Sequence, residues 1–300
     1  MSYPIDQGHG IAGRYGGLPD EFSDLAQSKI VILPVAFDQT TTYLHGTDQG
    51  PSALIEASRH LELYDIETGS EVYLEGIATL PILKPKDTQK MLKEVYKQVL
   101  AYLKRDKFVV TIGGEHSISY PVIRAYAEKF PNLTVLQLDA HADLQETYEG
   151  DPWSHACVMA RVIEIEEIDK IVSVGIRSIS GLEKSNLMRT IPFFAHDLFN
   201  SDEWMNEVAG QLENPVYITI DLDVFDSSIM PSTGTPEPGG LNWHQVTQFL
   251  KKVIQQKNVV GFDIVELCPN STNPAPDFLA AKLLYKLLSY KFKWGRHENP

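Results

Sequence analysis

Cysteine is almost missing from this chain: 300 residues include two, Cys157 and Cys268, in no Cys-x-x-Cys pair. That argues against a disulfide framework and a cysteine-built zinc site, and it suits a reducing compartment. Basic residues are also short, 26 Lys and Arg against 40 Asp and Glu, for a formal net charge of -14. Such a chain repels nucleic acid and anionic membrane and attracts small cations or metal ions. No apolar run approaches the roughly 20 residues of a membrane-spanning helix. The opening MSYPIDQGHG has neither the basic nor the apolar region of a secretion signal. The expectation is a cytoplasmic protein with no nucleic-acid and no membrane partner. Repeats, low-complexity tracts and linker-like shifts in composition are missing too, which favours one large domain.

What is present is a large apolar fraction, 43%, arranged as short strands alternating with helical patterns. Residues 1–28 are Gly-rich and polar and are expected to form an N-terminal arm, with 29–300 as a single catalytic domain. Strands are predicted at Lys29–Phe37, Lys107–Gly114, in the first half of Leu133–Asp143, and at Lys170–Ile176, Pro215–Asp223 and Asn258–Leu267. Helices are predicted from Gly50, with Pro51 in the first turn, from Asp87, over Ser119–Phe130, and over NWHQVTQFLKKVIQQ and PDFLAAKLLYKLLSY. This alternation means right-handed βαβ units and a parallel sheet covered on both faces.

Sites in such sheets form at the carboxyl ends of strands. Four polar clusters stand there: GGEHS (Gly113–Ser117), DAHAD (Asp139–Asp143), DLDVFD (Asp221–Asp226) and DIVE (Asp263–Glu266). In extended backbone, positions 139, 141 and 143 share a face, as do 221 and 223. Buried carboxylates at close range repel one another unless a cation lies among them. Four carboxylates exceed what one metal with an open position requires, so two metals are expected, with His116 and His141 completing the set. Asp and His without cysteine suit Mn²⁺ better than structural zinc. A single aspartate at a strand end is ordinarily a cap or turn residue, and a lone histidine ordinarily a satisfied polar group. The joint Asp-x-His-x-Asp and Asp-x-Asp spacings set this constellation apart from both.

These clusters, with SHA at Ser154–Ala156 and TGTPEPGG at Thr233–Gly240, resemble the ureohydrolases, the family of arginase and agmatinase. The stretch TTYLHGTDQGPSALIEAS at Thr41–Ser58 is similar to the agmatinase branch. The resemblance spans about Ile30 to Leu288. It implies a three-layer αβα sandwich with a mostly parallel central sheet, a pair of Mn²⁺ ions per chain, and a homo-oligomer, trimer or hexamer. Carried over by position, His116 and Asp143 would bind one Mn²⁺, His141 and Asp223 the other, and Asp139 and Asp221 would bridge them. His155 matches a proton-shuttling histidine that also lines the substrate site. Glu266 matches the guanidinium-binding glutamate, and Thr235 a threonine lining the site. Two departures stand out: Ser227 replaces a proline common after DLDVFD, and LCPNST at Leu267–Thr272 lacks the family's usual continuation.

The resemblance implies hydrolysis of a guanidine to urea and an amine. Two Mn²⁺ would lower the pKa of a water they share, Glu266 would grip the guanidinium, and Asp143 and His155 would carry protons to the leaving nitrogen. The loop LQETYEGDPWSHA after DAHAD is acidic, through Glu146, Glu149 and Asp151, and poor in neutral groups that grip an amino-acid carboxylate. A small cationic guanidine is therefore the expected substrate: agmatine, giving putrescine for polyamine biosynthesis. The alternatives are guanidinobutyrate, guanidinopropionate or free guanidine, for whose acids Arg161 is the nearby cation. Two further alternatives are an inactive polyamine-binding relative and a one-zinc deacetylase-like hydrolase, which six ligands overfill.

Overall fold

Runs rich in Val, Ile, Leu and Phe, five to seven residues long, build central strands that are buried on both faces. The computed structural model describes residues 11–199 and 201–295. Among them are β1 (Ile30–Pro34), β2 (Ile77–Thr79), β3 (Phe108–Ile112), β4 (Leu133–Leu138), β5 (Ile168–Ile176), β6 (Ile191–Phe194), β7 (Val216–Asp221) and β8 (Val259–Val265). They form one sheet in the order β2-β1-β3-β8-β7-β4-β5-β6, every pairing parallel. The helices are α1 (Asp20–Ser23), α2 (Gly50–Ser58), α3 (Thr88–Leu103), α4 (Ser119–Lys129), α5 (Val158–Val162), α6 (Lys184–Leu187), α7 (Trp204–Gln211), α8 (Trp243–Gln256) and α9 (Ala275–Trp294).

Alternate residues of each strand feed opposite layers. Ile30 and Ile32 pack with side chains of α2, α7, α8 and α9, whereas Val31 and Leu33 pack with those of α3, α4 and α5. The helices present stripes to match. On α3 the buried positions are Met91, Val95, Val99 and Leu103, each one turn from the next. Asp87 caps this helix by accepting from Lys90 N–H. At the start of α8, Asn242 and Gln245 form a capping box. The three-layer αβα arrangement is the expected one. No helix among the described residues is long and apolar enough to cross a membrane, and both cysteines are free.

The predicted strands and helices are all present; most are shorter at their ends, α2 by six residues, whereas β5 and α9 run beyond the expected bounds. Prediction missed both edge strands, β2 and β6. They are short, and every residue of β6 is half-exposed, so neither shows the continuous apolar signature of the central strands. Of the expected N-terminal arm, residues 1–10 lie outside the described residues. Residues 15–18 belong to the core: Tyr15 and Leu18 are fully buried. The Tyr15 hydroxyl donates to the Ala281 carbonyl on α9 at 2.7 Å, and Gly16 N–H donates to Ser58 Oγ on α2 at 2.8 Å. Two apolar side chains dock a stretch whose composition otherwise reads as surface.

The Gly113-Gly114 pair lets the chain turn off β3 against the end of β1. A Cβ on Gly114 would stand 2.2 Å from the Phe37 carbonyl oxygen and 2.8 Å from the Phe37 nitrogen, both backbone atoms. Gly114→Ala must push these segments apart and should destabilise the protein by about 2 kcal/mol or more, as overpacking does. Thermal denaturation should show a melting temperature lower by several degrees; an unchanged value would show that the turn has slack.

Candidate metal centre and active site

The carboxyl ends of the central strands β3, β8, β7 and β4 lie side by side and carry all four polar clusters. His116 opens a 3-10 turn (His116–Ile118) after β3. Asp139 follows β4, Asp221 ends β7, and Glu266 follows β8. Convergence of the rest is achieved by turns rather than by strand alternation, a correction to the extended reading of DAHAD and DLD. Asp143 has φ of 54° and Glu266 φ of 66°, left-handed conformations that cost about 1–3 kcal/mol each for residues other than glycine. Asp223 sits on a 3-10 turn (Leu222–Val224), its N–H bonded to Asp221 Oδ1 at 2.9 Å.

The groups meet in two overlapping sets. Ligand atoms of His116, Asp139 and Asp221 lie within 4.8 Å of one another, as do those of Asp139, His141 and Asp223. Asp139 belongs to both sets and Asp221 to the first only. Asp143 joins through His116, whose Nδ1 is 2.9 Å from Asp143 Oδ2, 3.1 Å from Asp139 Oδ2 and 3.5 Å from Asp221 Oδ2. None of these contacts has hydrogen-bond geometry. The other ring nitrogen, Nε2, lies 2.9 Å from Thr219 Oγ1, whose hydroxyl donates to Asp263 Oδ1 at 2.7 Å. Thr219 has no second proton to give, so Nε2–H donates to it and Nδ1 is the ligand nitrogen. A ring nitrogen facing three carboxylate oxygens off the hydrogen-bond axis suits a shared cation, and these donors fit hard divalent metals.

Charge bookkeeping agrees. Burial pushes Asp139 and Asp221 up, and the Asp223 charge adds to the rise in both. Burial pulls His116 and His141 down, but the surrounding carboxylates overcome it and carry His116 well above its usual range and His141 to about 11. Burial would raise Asp223, yet His141, 2.9 Å away, holds it at about 2. Burial also depresses His155, which is therefore neutral near pH 7.

Beside these groups is a cavity of about 20 Å³ lined by Thr41, His155, Thr235 and Glu266 together with His116, His141, Asp143, Asp221 and Asp223. Glu266 Oε1 accepts from His116 N–H at 2.6 Å. Beyond lies an outer cavity of about 170 Å³, lined by Gln145, Tyr148, Ser178, Ile179, Ser180 and Glu183 among others.

Residues 28–289 match the Arginase family. The chain belongs to that family. N(1)-aminopropylagmatine ureohydrolase of Synechocystis sp. is 37% identical over 93% of this chain and 94% of its own length. Agmatinase of Pyrococcus horikoshii is 33% identical over 88% and 93%. The agmatine ureohydrolase structure of Thermoplasma volcanium superposes with a TM-score of 0.84 at 29% identity, covering 94% of this chain and 95% of that one. The arginase-like fold is thus shared across nearly the whole length.

One expectation about the arginase-family site fails. The acidic loop turns none of its carboxylates into the two cavities: Glu146, Glu149 and Asp151 line neither. Glu146 is paired with Arg161 Nη2 and Asn186 Nδ2, both at 2.7 Å, Asp151 Oδ1 accepts from Trp153 N–H, and Glu149 is exposed at the loop tip with φ of 50°. The loop folds back on itself through the paired backbone of Tyr148 and Asp151, and Arg161 holds Glu146 against the body of the protein. Arg161, bonded to Glu146 and Glu164, is equally spent as a partner for a guanidino acid. Prediction from sequence also missed residues that hold the site. Gln137 Nε2 donates to Asp139 Oδ2 at 2.9 Å. Arg177 donates to five backbone carbonyls, among them those of Asp223 and Glu237, tying the TGTPEPGG loop to the end of β7. Glu115, inside GGEHS, gave a visible signal that went unread.

A divalent cation entering this cluster must displace the protons held by His116, His141 and Asp221. Mn²⁺ binding should release protons and tighten as pH rises from 7 to 9, because the competing protons leave toward the raised pKa values. Calorimetry in two buffers of different ionisation enthalpy should give different apparent heats. Identical heats and a pH-independent affinity would mean that the cation binds elsewhere.

Proposed function

We propose that this chain is a Mn²⁺-dependent ureohydrolase that cleaves a cationic guanidino amine, agmatine first, to urea and the free amine. The observation that carries this reading is Glu266: a buried carboxylate lining the same small cavity as the metal-binding set, held by a backbone N–H and with no salt-bridged Lys or Arg of its own among the described residues. A guanidinium would supply the missing cation through paired charge-assisted hydrogen bonds.

The two observed sets would each hold an ion, His116, Asp139 and Asp221 one and Asp139, His141 and Asp223 the other, with Asp143 added to the first on the strength of its contact with His116. The ions would supply a water activated as a nucleophile at neutral pH. Glu266 orients the guanidinium carbon toward the ligand ring, which converts binding into positioning. A C–O bond forms, the C–N bond to the amine breaks, and the leaving nitrogen must gain a proton. Asp143, whose Oδ2 lies 2.9 Å from His116 Nδ1 and which lines the small cavity, would pass that proton from the attacking water to the leaving nitrogen. His155, neutral and at the junction of the two cavities, exchanges protons with solvent. Thr235 and Thr41 line the guanidinium cavity with hydroxyl groups. A homo-oligomer and a cytoplasmic location fit this reading.

N(1)-aminopropylagmatine is a second reading, and the outer cavity favours it. Agmatine ends after four methylenes, whereas about 170 Å³ beyond the metal ring has room for an added aminopropyl group. Tyr148 and Gln145 there offer a ring face and an amide oxygen to a cation. Guanidino acids find no free Lys or Arg at either cavity.

Urea release from a panel of guanidino compounds with Mn²⁺ decides the substrate, the kcat/KM ratio of the two amines ranking them. Glu266→Gln should lower kcat/KM by about two to three orders of magnitude, the scale of leaving one partner of a buried charge pair alone, with kcat falling too and both metals retained. Near-normal turnover by that variant would place the guanidinium anchor elsewhere.

A further inference from the structure

Glu115 is wholly buried, and the metal-binding and guanidinium-binding roles leave it without a task. Its carboxylate accepts four hydrogen bonds: from Gln39 N–H at 2.6 Å, Thr40 N–H at 2.7 Å, Thr40 Oγ1 at 2.8 Å and Ser117 Oγ at 2.6 Å. With four donors aimed at it, the carboxylate acts only as an acceptor. The Thr40 hydroxyl proton is therefore committed to Glu115. That matters one step further along. Thr40 Oγ1 also accepts from His155 N–H at 3.0 Å and lies 3.0 Å from His155 Nδ1. A hydroxyl has one proton and two acceptor sites. Having given the proton to Glu115, Thr40 can only accept from Nδ1. The more distant Ser154 Oγ, at 3.2 Å from the same nitrogen, can only share that proton or stand aside. On its other side, the His155 ring meets Tyr148 edge-on at 5.7 Å.

We infer that Glu115 and Thr40 form a positioning relay that fixes His155 with its proton on Nδ1 and the Nε2 lone pair toward the substrate cavities. The relay ties proton transfer to the metal centre mechanically. Glu115 precedes the ligand His116 in the chain, and its own N–H is bonded to the Phe37 carbonyl at 2.9 Å. One turn therefore sets both the first metal-binding nitrogen and, through Thr40, the histidine that carries protons. Without the relay His155 can adopt the other tautomer or rotate about its ring axis, and in either state Nε2 is no longer a ready proton acceptor. Neither residue touches substrate; both act through His155.

This inference rests on the ureohydrolase reading, and the test separates the two. Thr40→Val keeps the shape and removes the hydroxyl; Thr40→Ser restores it. Thr40→Val should lower kcat about tenfold or more, within the range that general acid–base groups contribute, with KM and Mn²⁺ content near those of the wild type and a melting temperature lower by a few degrees, since Glu115 loses a donor. Thr40→Ser should recover most of the loss. In a His155→Asn background Thr40→Val should cost nothing further, because the group it positions is gone. A crystal structure of Thr40→Val should show the His155 ring reoriented with the metal ligands in place. The relay is overturned if Thr40→Val turns over like the wild type, if its loss adds fully to that of His155→Asn, or if the ring stays put. Failure of wild-type protein to release urea from any guanidino compound would instead overturn the ureohydrolase reading, and the ring orientation in Thr40→Val would still decide whether the relay positions His155.

Discussion

Four carboxylates cannot stand together in a protein interior without a cation, and this constraint organises the molecule. Asp139, Asp221 and Asp223 are almost wholly buried and Asp143 nearly so. At such distances in a poorly solvated site their mutual repulsion far exceeds anything surface charges experience. The strain is tolerable because His116 and His141 are set among them and because backbone N–H groups of Ala140, His141 and Asp223 donate to the carboxylates; a divalent cation would relieve it further. The parallel sheet is what permits it. Four adjacent strands end at one level, so side chains distant in sequence arrive at one point without long loops.

Around this cluster the fold uses polar residues as braces rather than as ligands. Asp263 receives the hydroxyls of Tyr217 and Thr219, each at 2.7 Å, and thereby sets the His116 tautomer. Gln137, its own amide oriented by the Ser173 hydroxyl at 2.8 Å, holds the shared carboxylate of Asp139. Arg177 fastens the loop carrying Thr235 to the turn carrying Asp223. Each brace is buried or half-buried and fully bonded, so each constrains one rotamer. The left-handed backbone at Asp143 and Glu266 is the cost of aiming these two side chains inward from strand ends, and the surrounding bonds hold it there.

Selectivity follows from what the outer cavity does not contain. Its neighbouring charges are paired among themselves, Glu146 with Arg161, and Glu183 with the backbone of Leu144 and Ser180. The negative net charge of the chain draws cations in from a distance, and the outer cavity offers them the carboxylate of Glu183, the amide of Gln145 and the ring of Tyr148. Under the proposed reading, affinity for a guanidino amine would come mainly from Glu266 and from cation–π contact with Tyr148.

The central strands, most of the helices and the polar residues that gather at the strand ends were legible in the linear chain, for two reasons. Strands buried on both faces must be continuously apolar, and charged residues at the ends of such strands have few explanations other than a cation. The docking of Tyr15 and Leu18, the edge strands β2 and β6, the pairing of Glu146 with Arg161 and the bracing roles of Gln137, Thr219 and Arg177 were not legible. These depend on which residues, distant in sequence, come within about 3 Å, the range of a hydrogen bond. Alternation along a strand also suggested the right set of aspartates for the wrong reason, since Asp143 and Asp223 reach the cluster from turns. Residue type determined what chemistry the chain could hold. Which carboxylate is free to meet a substrate and which is already spent on a neighbour was decided only when the strands were laid side by side, because a charge's availability depends on its partners and not on its identity.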